Sequence, residues 1–374
     1  MSGSCDARFA AVEEAFEANF AAGSEVGAAC AVVAEGRCVV DLWGGRRWSD
    51  GPSWDDDTLV ETRSATKGIT ATCLHLLIDR GRVDLDTPVR AYWPELRSDP
   101  LVRQALTHQA GIPVIDAALP HNAIIDWQCI ADAVEHQAPE WAPGDRHGYH
   151  GVTFGWLVGE IVRRVSGRSI GQFLREEITR PLGVEYYIGT PAREHHRIAP
   201  LVAAPPRADG KPTPPSPLSS IAPDSRAARM FAPMFPPICP PWNSTAFRSA
   251  EIPVANGIGT ARGIAAIYGE LANDGGRLVS ADTAASMSVE HVAGDDAILG
   301  IEVRRSLGFE LPPRGADDGR PSDAFGHPGA SGFLAFADPH ARVGFAYVKN
   351  AAWNGEPGHD TRASSLVKAL YSAL

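Results

Sequence analysis

Segments with strand character lie near the two ends of this 374-residue chain, and helical patterns fill its middle. Near the N-terminus, residues 29–34 and 38–43 predict a β-hairpin. Because strands must pair and bury at least one face, the simplest solution is one antiparallel sheet built from both ends, with helices on its faces. We therefore expect an α+β fold, an α/β sandwich in which a mainly helical domain is inserted into the sheet domain. Further strands are predicted at residues 299–303, 307–311, 333–337 and 343–349.

The domain limits are predicted from where strand character stops and returns. Residues 1–95 and 256–374 would form the sheet domain, and residues 96–255 the helical insert. Within the insert, residues 200–241 are rich in proline, which predicts a loop rather than regular elements. Apolar residues at helical spacing predict helices at 9–20, 123–138, 153–166, from Ser169 onward, and at 260–273, 281–289 and 361–374.

Charge and hydropathy exclude several classes of protein. The net charge is −11, which disfavours nucleic acid and anionic membranes as partners. No stretch approaches 18 consecutive apolar residues, so no membrane span is expected. The first twenty residues have neither a positive start nor an apolar core, unlike a secretory signal. We expect a cytoplasmic protein.

The cysteines and histidines give no sign of a metal site. The six cysteines are scattered without a C-x-x-C pair, so we expect them to be reduced and buried. His195 and His196 form a bare pair in a polar stretch, which is more typical of a surface than of metal ligands. We predict no metal and no other cofactor.

A possible nucleophile lies where a strand-like run, residues 58–62, gives way to a helical pattern that begins with Ser64-Ala65-Thr66-Lys67. Residues three apart share one face of a helix, so the Lys67 amine would lie over the Ser64 hydroxyl. The amine can accept the hydroxyl proton, and free N–H groups of the first helical turn can stabilise an oxyanion. The alternative is that Ser64 only caps the helix. This short motif alone does not decide between the two.

Two other candidates have better structural explanations. The motif G-x-S-x-G, typical of the nucleophile of α/β-hydrolases, occurs around Ser169, but that nucleophile needs a preceding strand and here a helix precedes it. Ser169 is therefore interpreted as a helix N-cap. His108, in the sequence THQAG, is more easily explained as part of a hydrogen-bonded turn than as a catalytic base.

Three motifs in order resemble one superfamily. Ser64-Ala65-Thr66-Lys67 is followed by Tyr149-His150-Gly151 and then by His327-Pro-Gly-Ala-Ser-Gly before a predicted strand. This order resembles the serine β-lactamase-like superfamily, with its S-x-x-K, Y-x-N and K-T-G motifs. Within it, the chain most resembles the family VIII carboxylesterases. The segments WGG, LTHQAG, GYHGVTFGWLVGEIVRRVSG and GHPG extend the likeness over nearly the whole chain.

The resemblance implies roles for individual residues. Ser64 would be the acylated nucleophile, Lys67 would take or relay its proton, and Tyr149 would protonate the leaving group. The backbone N–H groups of Ser64 and Ala330 would form the oxyanion hole. His327, Gly329 and Gly151 would contact the substrate.

Two departures from the superfamily pattern bear on the substrate. His327 replaces the lysine of the third motif, and Gly151 replaces the asparagine of the second. The resemblance implies that those two residues hold a carboxylate and an amide of the substrate. An uncharged ester would need them less, so we expect a serine hydrolase that cleaves small carboxylic esters. A β-lactamase, a D-peptidase or amidase, an acyltransferase and a non-catalytic binding protein remain alternatives.

The proline-rich stretch has an apolar end that predicts a further contact with substrate. Exposure of so many large apolar groups would cost solubility, so we expect them to be buried. We predict that residues 230–242 form a wall of the acyl or alcohol pocket, with Phe235 and Trp242 contacting substrate; the alternative is a loop that only covers the core. The apolar groups are Met230, Phe231, Met234, Phe235, Ile238 and Trp242.

Overall fold

The structure, a computed structural model, describes residues 1–206, 221–330, 332–353 and 360–374. Its main sheet has six strands, in the order β1-β3-β2-β12-β11-β10, and all neighbouring pairs are antiparallel. The N-terminal and C-terminal segments meet at the β2–β12 pair, where Cys30 lies opposite Tyr347. The expected α+β fold is confirmed. The strands are β1 (Ser2–Cys5), β2 (Gly27–Ala34), β3 (Arg37–Gly45), β10 (Phe325–Gly326), β11 (Leu334–Asp338) and β12 (Val343–Lys349).

Successive side chains of β2 point to opposite faces of the sheet, and the sheet therefore separates two cores. Cys30 and Val32 point to the face covered by α1 (Ala10–Ala21) and α12 (Thr361–Ala373). Ala31 and Val33 point to the opposite face, which joins the larger core. Side chains alternate in this way because successive Cβ atoms of a strand point to opposite faces.

Helix α10 (Ala261–Ala272) packs against the second face of the sheet at very short range. A Cβ atom on Gly344 would lie 2.2 Å from the backbone nitrogen of Gly269. Glycine at both positions therefore allows the helix to rest on the strand backbone.

The helical part of the molecule surrounds a second, smaller sheet. Its order is β5-β7-β4-β6, from four short strands. The nucleophile motif directly follows β4, so this small sheet fixes where α2 begins. The strands are β4 (Leu59–Glu61), β5 (Tyr186–Tyr187), β6 (Ile198–Ala199) and β7 (Ile258–Gly259); the helices are α2 (Thr66–Asp79), α3 (Val102–Leu106), α4 (Trp127–His136), α5 (Thr153–Ser166), α6 (Ile170–Leu174), α7 (Arg180–Leu182), α8 (Arg226–Phe231), α9 (Thr245–Ser249) and α11 (Ala281–Ser286).

Several predicted elements differ from the structure. The strand predicted at 299–303 is shifted to β9 (Glu302–Arg305), which pairs with β8 (Val292–Asp295) in a separate ribbon. Residues 307–311 form no strand; only Glu310 makes isolated bridges, to Arg305 and Gly326. Their apolar pattern reflects burial of Leu307 and Phe309 in the larger core, not extended pairing. The prediction missed β1, β8 and most of the small sheet.

The proline-rich segment is more regular than predicted where the structure describes it. Helix α8 and a 3-10 turn at Ala232–Met234 lie within it, so the prediction of a loop without helix was wrong there. Residues 207–220 lie outside the described part of the chain. The two predicted domain boundaries stay predictions.

The prediction that the six cysteines are buried is correct for only three of them. All six are free, and Cys30, Cys73 and Cys239 are buried, but Cys38 is exposed on the outer half of the hairpin. Among the described residues, no helix combines the length and the apolar character needed to cross a membrane.

Candidate active site

Ser64 lies on a single 3-10 turn between β4 and α2. The residue before it, Arg63, has φ of 54°, in the left-handed region. The turn is fixed by Thr66, whose hydroxyl donates to the Arg63 carbonyl at 2.6 Å and accepts from the Gly257 N–H at 2.9 Å. The N-cap of α2 is Ala65, without a side-chain bond, so Ser64 does not cap the helix. Its hydroxyl is left available for other partners.

Two side chains reach the Ser64 hydroxyl. Lys67 Nζ lies 3.3 Å from Ser64 Oγ, one helical turn further along, as the spacing predicted. The Tyr149 hydroxyl donates to Ser64 Oγ at 3.0 Å. Lys67 Nζ also lies 4.9 Å from the centre of the Tyr149 ring. The structure therefore brings together the three residues predicted to carry the chemistry.

Burial shifts the pKa values of Lys67 and Tyr149, the two partners of Ser64, in opposite directions. Lys67 is fully buried and donates to the Val254 carbonyl at 3.1 Å. Loss of solvation lowers the Lys67 pKa to about 7, against the opposing effect of the Glu310 charge. Burial raises the pKa of Tyr149 well above its ordinary value, with Glu310 adding to the effect. Near neutral pH, the amine can be an acceptor of a proton, and the phenol stays a donor.

The loop that carries Tyr149 is held by a buried ion pair. The Asp296 carboxylate accepts the Tyr149 backbone N–H at 3.0 Å and pairs with Arg305 at 2.7 Å. It also accepts the N–H groups of Ile298 and Leu299, each at 2.8 Å. A carboxylate with this many donors is fully occupied, so its role is to position Tyr149. No sequence motif indicated Asp296.

His108 supports the same loop from the other side. It follows α3 with φ of 60°, and its Nδ1 accepts the His150 backbone N–H at 2.9 Å. Its ring stacks on Phe154 and lies 5.2 Å from the Tyr149 ring. This geometry agrees with the predicted hydrogen-bonded turn.

Within the third motif, Gly329 lies close to the backbone that precedes Ser64. The Gly329 N–H donates to the Phe333 carbonyl at 2.8 Å, and a Cβ on Gly329 would lie 2.4 Å from the Thr62 carbonyl. The turn therefore rests on the backbone two residues before Ser64. At its end, buried Lys349 donates to the Gly332 carbonyl at 2.8 Å. Ala330 is exposed on this turn, and its part in an oxyanion hole stays a prediction.

His327 is neutral in this environment. Its Nδ1 donates to the Pro328 carbonyl at 2.7 Å, so that nitrogen carries the proton. Burial lowers the His327 pKa to about 4. The other nitrogen, Nε2, has no hydrogen-bond partner among the described residues and faces the Glu310 carboxylate at 4.0 Å. His327 therefore does not replace the positive charge of a lysine.

Gly151 has a partner that the sequence did not reveal. A Cβ on Gly151 would lie 2.0 Å from the sulfur of Met230, which comes from α8. Met230 is 1% exposed and packs with Tyr149, Val114 and Ile298 in a small apolar cluster. A methionine thus fills the space where a larger residue at position 151 would project.

Trp242 contacts the turn that carries Ser64, and Phe235 lies against Trp242. The Arg63 guanidinium stacks on the Trp242 ring at 3.5 Å and pairs with Glu61 at 3.1 Å. Phe235 lies against Trp242 with ring centres 6.2 Å apart, but it is 37% exposed. The expectation that the apolar groups of this stretch are all buried is wrong for Phe235.

Ser169 has the structural role predicted for it. Its hydroxyl accepts the Gln172 N–H at 3.2 Å as the N-cap of α6 and donates to Glu251 at 2.6 Å. A cavity of about 100 Å³ adjoins it. The described residues that line this cavity include neither lysine nor histidine. The structure also shows, within the described ranges, no group of three or more His, Cys, Asp or Glu side chains able to hold a metal ion.

Comparison with known proteins places this geometry in a family. The model of the β-lactamase family matches residues 12–368. Esterase/β-lactamase LipL of Mycobacterium tuberculosis (strain ATCC 25618 / H37Rv) is 32% identical over 381 aligned residues, which cover 93% of this chain and 82% of LipL.

Two solved structures are similar over the full length of the chain. A family VIII carboxylesterase superposes with a TM-score of 0.87 at 38% identity, covering 100% of this chain and 99% of the other. A penicillin-binding protein homologue from Caulobacter crescentus gives 0.87 at 37% identity, with the same coverage. The resemblance inferred from the ordered motifs is confirmed. The chain therefore belongs to the β-lactamase family, whose fold it shares with serine hydrolases that include esterases.

Proposed function

We propose that this protein is a serine carboxylesterase that cleaves small esters through an acyl-enzyme on Ser64. The observation that carries the proposal is the convergence of Lys67 Nζ and the Tyr149 hydroxyl on Ser64 Oγ, at 3.3 and 3.0 Å. A neutral lysine and a protonated phenol on one hydroxyl supply a base and an acid at the same point.

The steps of the proposed reaction follow from the lowered pKa of Lys67 and the raised pKa of Tyr149. As Ser64 Oγ attacks the ester carbonyl, its proton passes to Lys67, and the leaving alkoxide takes a proton from Tyr149. Lys67 then returns a proton to Tyr149, which restores both groups. In the second half, water attacks the acyl group and gives one proton to Lys67, and Lys67 passes that proton to Ser64 Oγ as the bond from Ser64 to the acyl carbon breaks and the acid departs. Neither half changes the net charge of the site.

The contents of the site favour an ester that carries no carboxylate over a β-lactam. His327 supplies no positive charge, and Met230 occupies the space beside Gly151 where an amide side chain would project. Substrates that rely on a cation and an amide for binding lose both contacts. β-Lactam hydrolysis is the second candidate, because the relative LipL is named as both an esterase and a β-lactamase.

The first prediction tests this choice of substrate. We expect kcat/KM for p-nitrophenyl butyrate to exceed that for a chromogenic cephalosporin, because only the cephalosporin needs the missing contacts. Both rates are measured spectrophotometrically on one preparation, with Ser64→Ala as the blank. A higher kcat/KM for the cephalosporin would contradict the esterase proposal.

The second prediction concerns the nucleophile. Ser64→Ala should lower ester turnover by at least about 10³-fold, because the covalent step is lost. Ser169→Ala is the matched control, since that serine begins a helix and bonds Glu251. Mass spectrometry after treatment with a fluorophosphonate should show one adduct, on Ser64. An adduct on Ser169, or loss of activity only in Ser169→Ala, would refute the assignment.

The third prediction concerns the base. With its pKa lowered to about 7, Lys67 should be protonated and inactive below that pH, so kcat/KM should rise through about pH 7. Lys67→Arg keeps the positive charge but cannot release it, and should lose at least about 10³-fold in kcat/KM. Lys368→Arg, at an exposed lysine that pairs with Asp317, is the control. A flat profile across this pH range, or an active Lys67→Arg, would exclude Lys67 as the base.

The fourth prediction concerns the pocket wall proposed at residues 230–242. Trp242 stacks on Arg63, next to the nucleophile, and Phe235 extends that surface. We expect Trp242→Ala or Phe235→Ala to shift the preferred chain length among p-nitrophenyl esters from acetate to decanoate. Turnover of acetate should stay within about tenfold, because a remote contact affects binding of long chains more than the chemical step.

The control for the wall is Trp48→Ala, since Trp48 is an exposed tryptophan on the loop after β3. Its chain-length profile should match wild type. If both wall variants also keep the wild-type profile and only their melting temperature falls, the stretch covers the core and does not contact substrate.

A further inference from the structure

Glu310 lies in the site, and no group in the described ranges of the chain donates a hydrogen bond to its carboxylate. Its backbone pairs with Gly326, the residue before His327, through bonds of 2.7 and 3.1 Å. One carboxylate oxygen lies 4.0 Å from His327 Nε2 and 3.9 Å from Arg305 Nε. Both distances exceed that of a hydrogen bond. The side chain is 24% exposed, so a ligand can reach it.

The charged groups around Glu310 form no hydrogen bond with its carboxylate. Arg305 is the nearest guanidinium: its Nη2 forms a 2.7 Å bond with Asp296, and its Nε, which has no hydrogen-bond partner among the described residues, stays 3.9 Å from the Glu310 carboxylate. His327 offers no proton to Glu310, because its Nδ1–H is donated to the Pro328 carbonyl. Glu310 is also the only acidic residue whose charge acts appreciably on Lys67 within the described chain. Its carboxylate therefore belongs electrostatically to the active site.

Two hydrogen-bond acceptors consequently face one another. Unprotonated His327 Nε2 lies 4.0 Å from a Glu310 carboxylate oxygen, and Nε2 has no hydrogen-bond partner in the described part of the chain. An N–H group can approach both atoms, since a hydrogen bond spans about 2.9 Å. A carboxylate ligand would instead meet a negative charge and a lone pair. At this position the site favours a cation and repels an anion, the opposite of a lysine.

We propose that Glu310 and His327 form a subsite for a protonated amine of the substrate, so that the preferred esters carry an ammonium group and carboxylate-bearing esters are rejected. The inference rests on the proposed esterase function of Ser64. It adds the chemical class of the substrate. Glu310 supplies the charge, and His327 Nε2 supplies the second acceptor.

Esters that differ only in charge test the proposal. On the alcohol side, 2-(dimethylamino)ethyl butyrate is compared with its neutral isostere 3-methylbutyl butyrate. On the acyl side, methyl 4-(dimethylamino)butanoate is compared with neutral methyl 5-methylhexanoate and with anionic methyl hydrogen glutarate. Hydrolysis is followed in a pH-stat at one pH near neutrality. We expect kcat/KM for the cationic ester to exceed that of its neutral isostere by at least about tenfold in one of the two series, with the anionic ester slowest.

Glu310→Gln removes the charge and keeps the shape, so it should reduce the ratio of cationic to neutral kcat/KM to near one. Using a ratio within each variant cancels any change in the reactivity of Lys67. Glu302→Gln is the control, because it makes the same charge change at an exposed residue of β9 and should keep the wild-type ratio. Wild-type ratios near one in both series, as expected if water fills the gap, or a ratio unchanged in Glu310→Gln, would overturn the proposal.

A binding measurement separates this inference from the esterase proposal. Calorimetry with Ser64→Ala should show tighter binding of the cationic ester than of its neutral isostere, and added salt should weaken that preference. If wild type hydrolyses no ester but the cation preference persists in binding, the esterase function fails and the subsite stands. If esters are hydrolysed but Ser64→Ala binds both isosteres equally, the subsite fails and the function stands.

Discussion

The burial of one amine controls the chemistry of this site. Lys67 lies in the core of the molecule with one carbonyl and the Ser64 hydroxyl as its hydrogen-bond partners. A pKa lowered from 10.5 to about 7 corresponds to about 5 kcal/mol that disfavours the charged amine in the folded state. The unfolded chain binds this proton more tightly, so the group destabilises the fold fully below about pH 7, and the penalty disappears as pH rises toward 10.5. A reactive base is thus obtained at the expense of stability.

Two other buried charge pairs are balanced, and each of these two pairs holds a part of the site. Arg305 and Asp296 fix the backbone of Tyr149, while Lys349 and Asp360, 2.7 Å apart, fix the turn that ends at Gly332. Removing one partner of a buried pair leaves an uncompensated charge, which is far more costly than losing a surface pair. The proposed catalytic residues come from distant parts of the chain, and these pairs keep those parts in register.

The sequence predicted local chemistry better than distant contacts. Ser64 and Lys67 are three residues apart, so helical geometry alone placed the amine on the hydroxyl. Tyr149 could be found only through the resemblance, because nothing in its own segment indicates a partner 85 residues away. The strand predicted at 307–311 failed because burial on all sides gives the same apolar pattern as a strand. Main-sheet pairing was predictable in outline because both chain ends carry clear strand patterns.

Packing contacts beside Tyr149 escaped prediction for the same physical reason. The large side chain of Met230 occupies the space that the missing side chain of Gly151 leaves. This contact forms only when α8 packs on the loop that carries Tyr149. Phe235 was expected to be buried because its side chain is apolar, but of this stretch Met234 and Cys239 enter the larger core while Phe235 stays exposed.

The same dependence on packing decides the charge at the third motif. A histidine in water is readily protonated and would resemble the lysine it replaces. Here desolvation outweighs the attraction of Glu310, and the Pro328 carbonyl fixes which nitrogen keeps the proton. With histidine in place of lysine, this position therefore carries a neutral hydrogen-bond acceptor instead of a positively charged hydrogen-bond donor. A residue type alone does not state its charge; the solvent it has lost and the partner that holds its proton determine it.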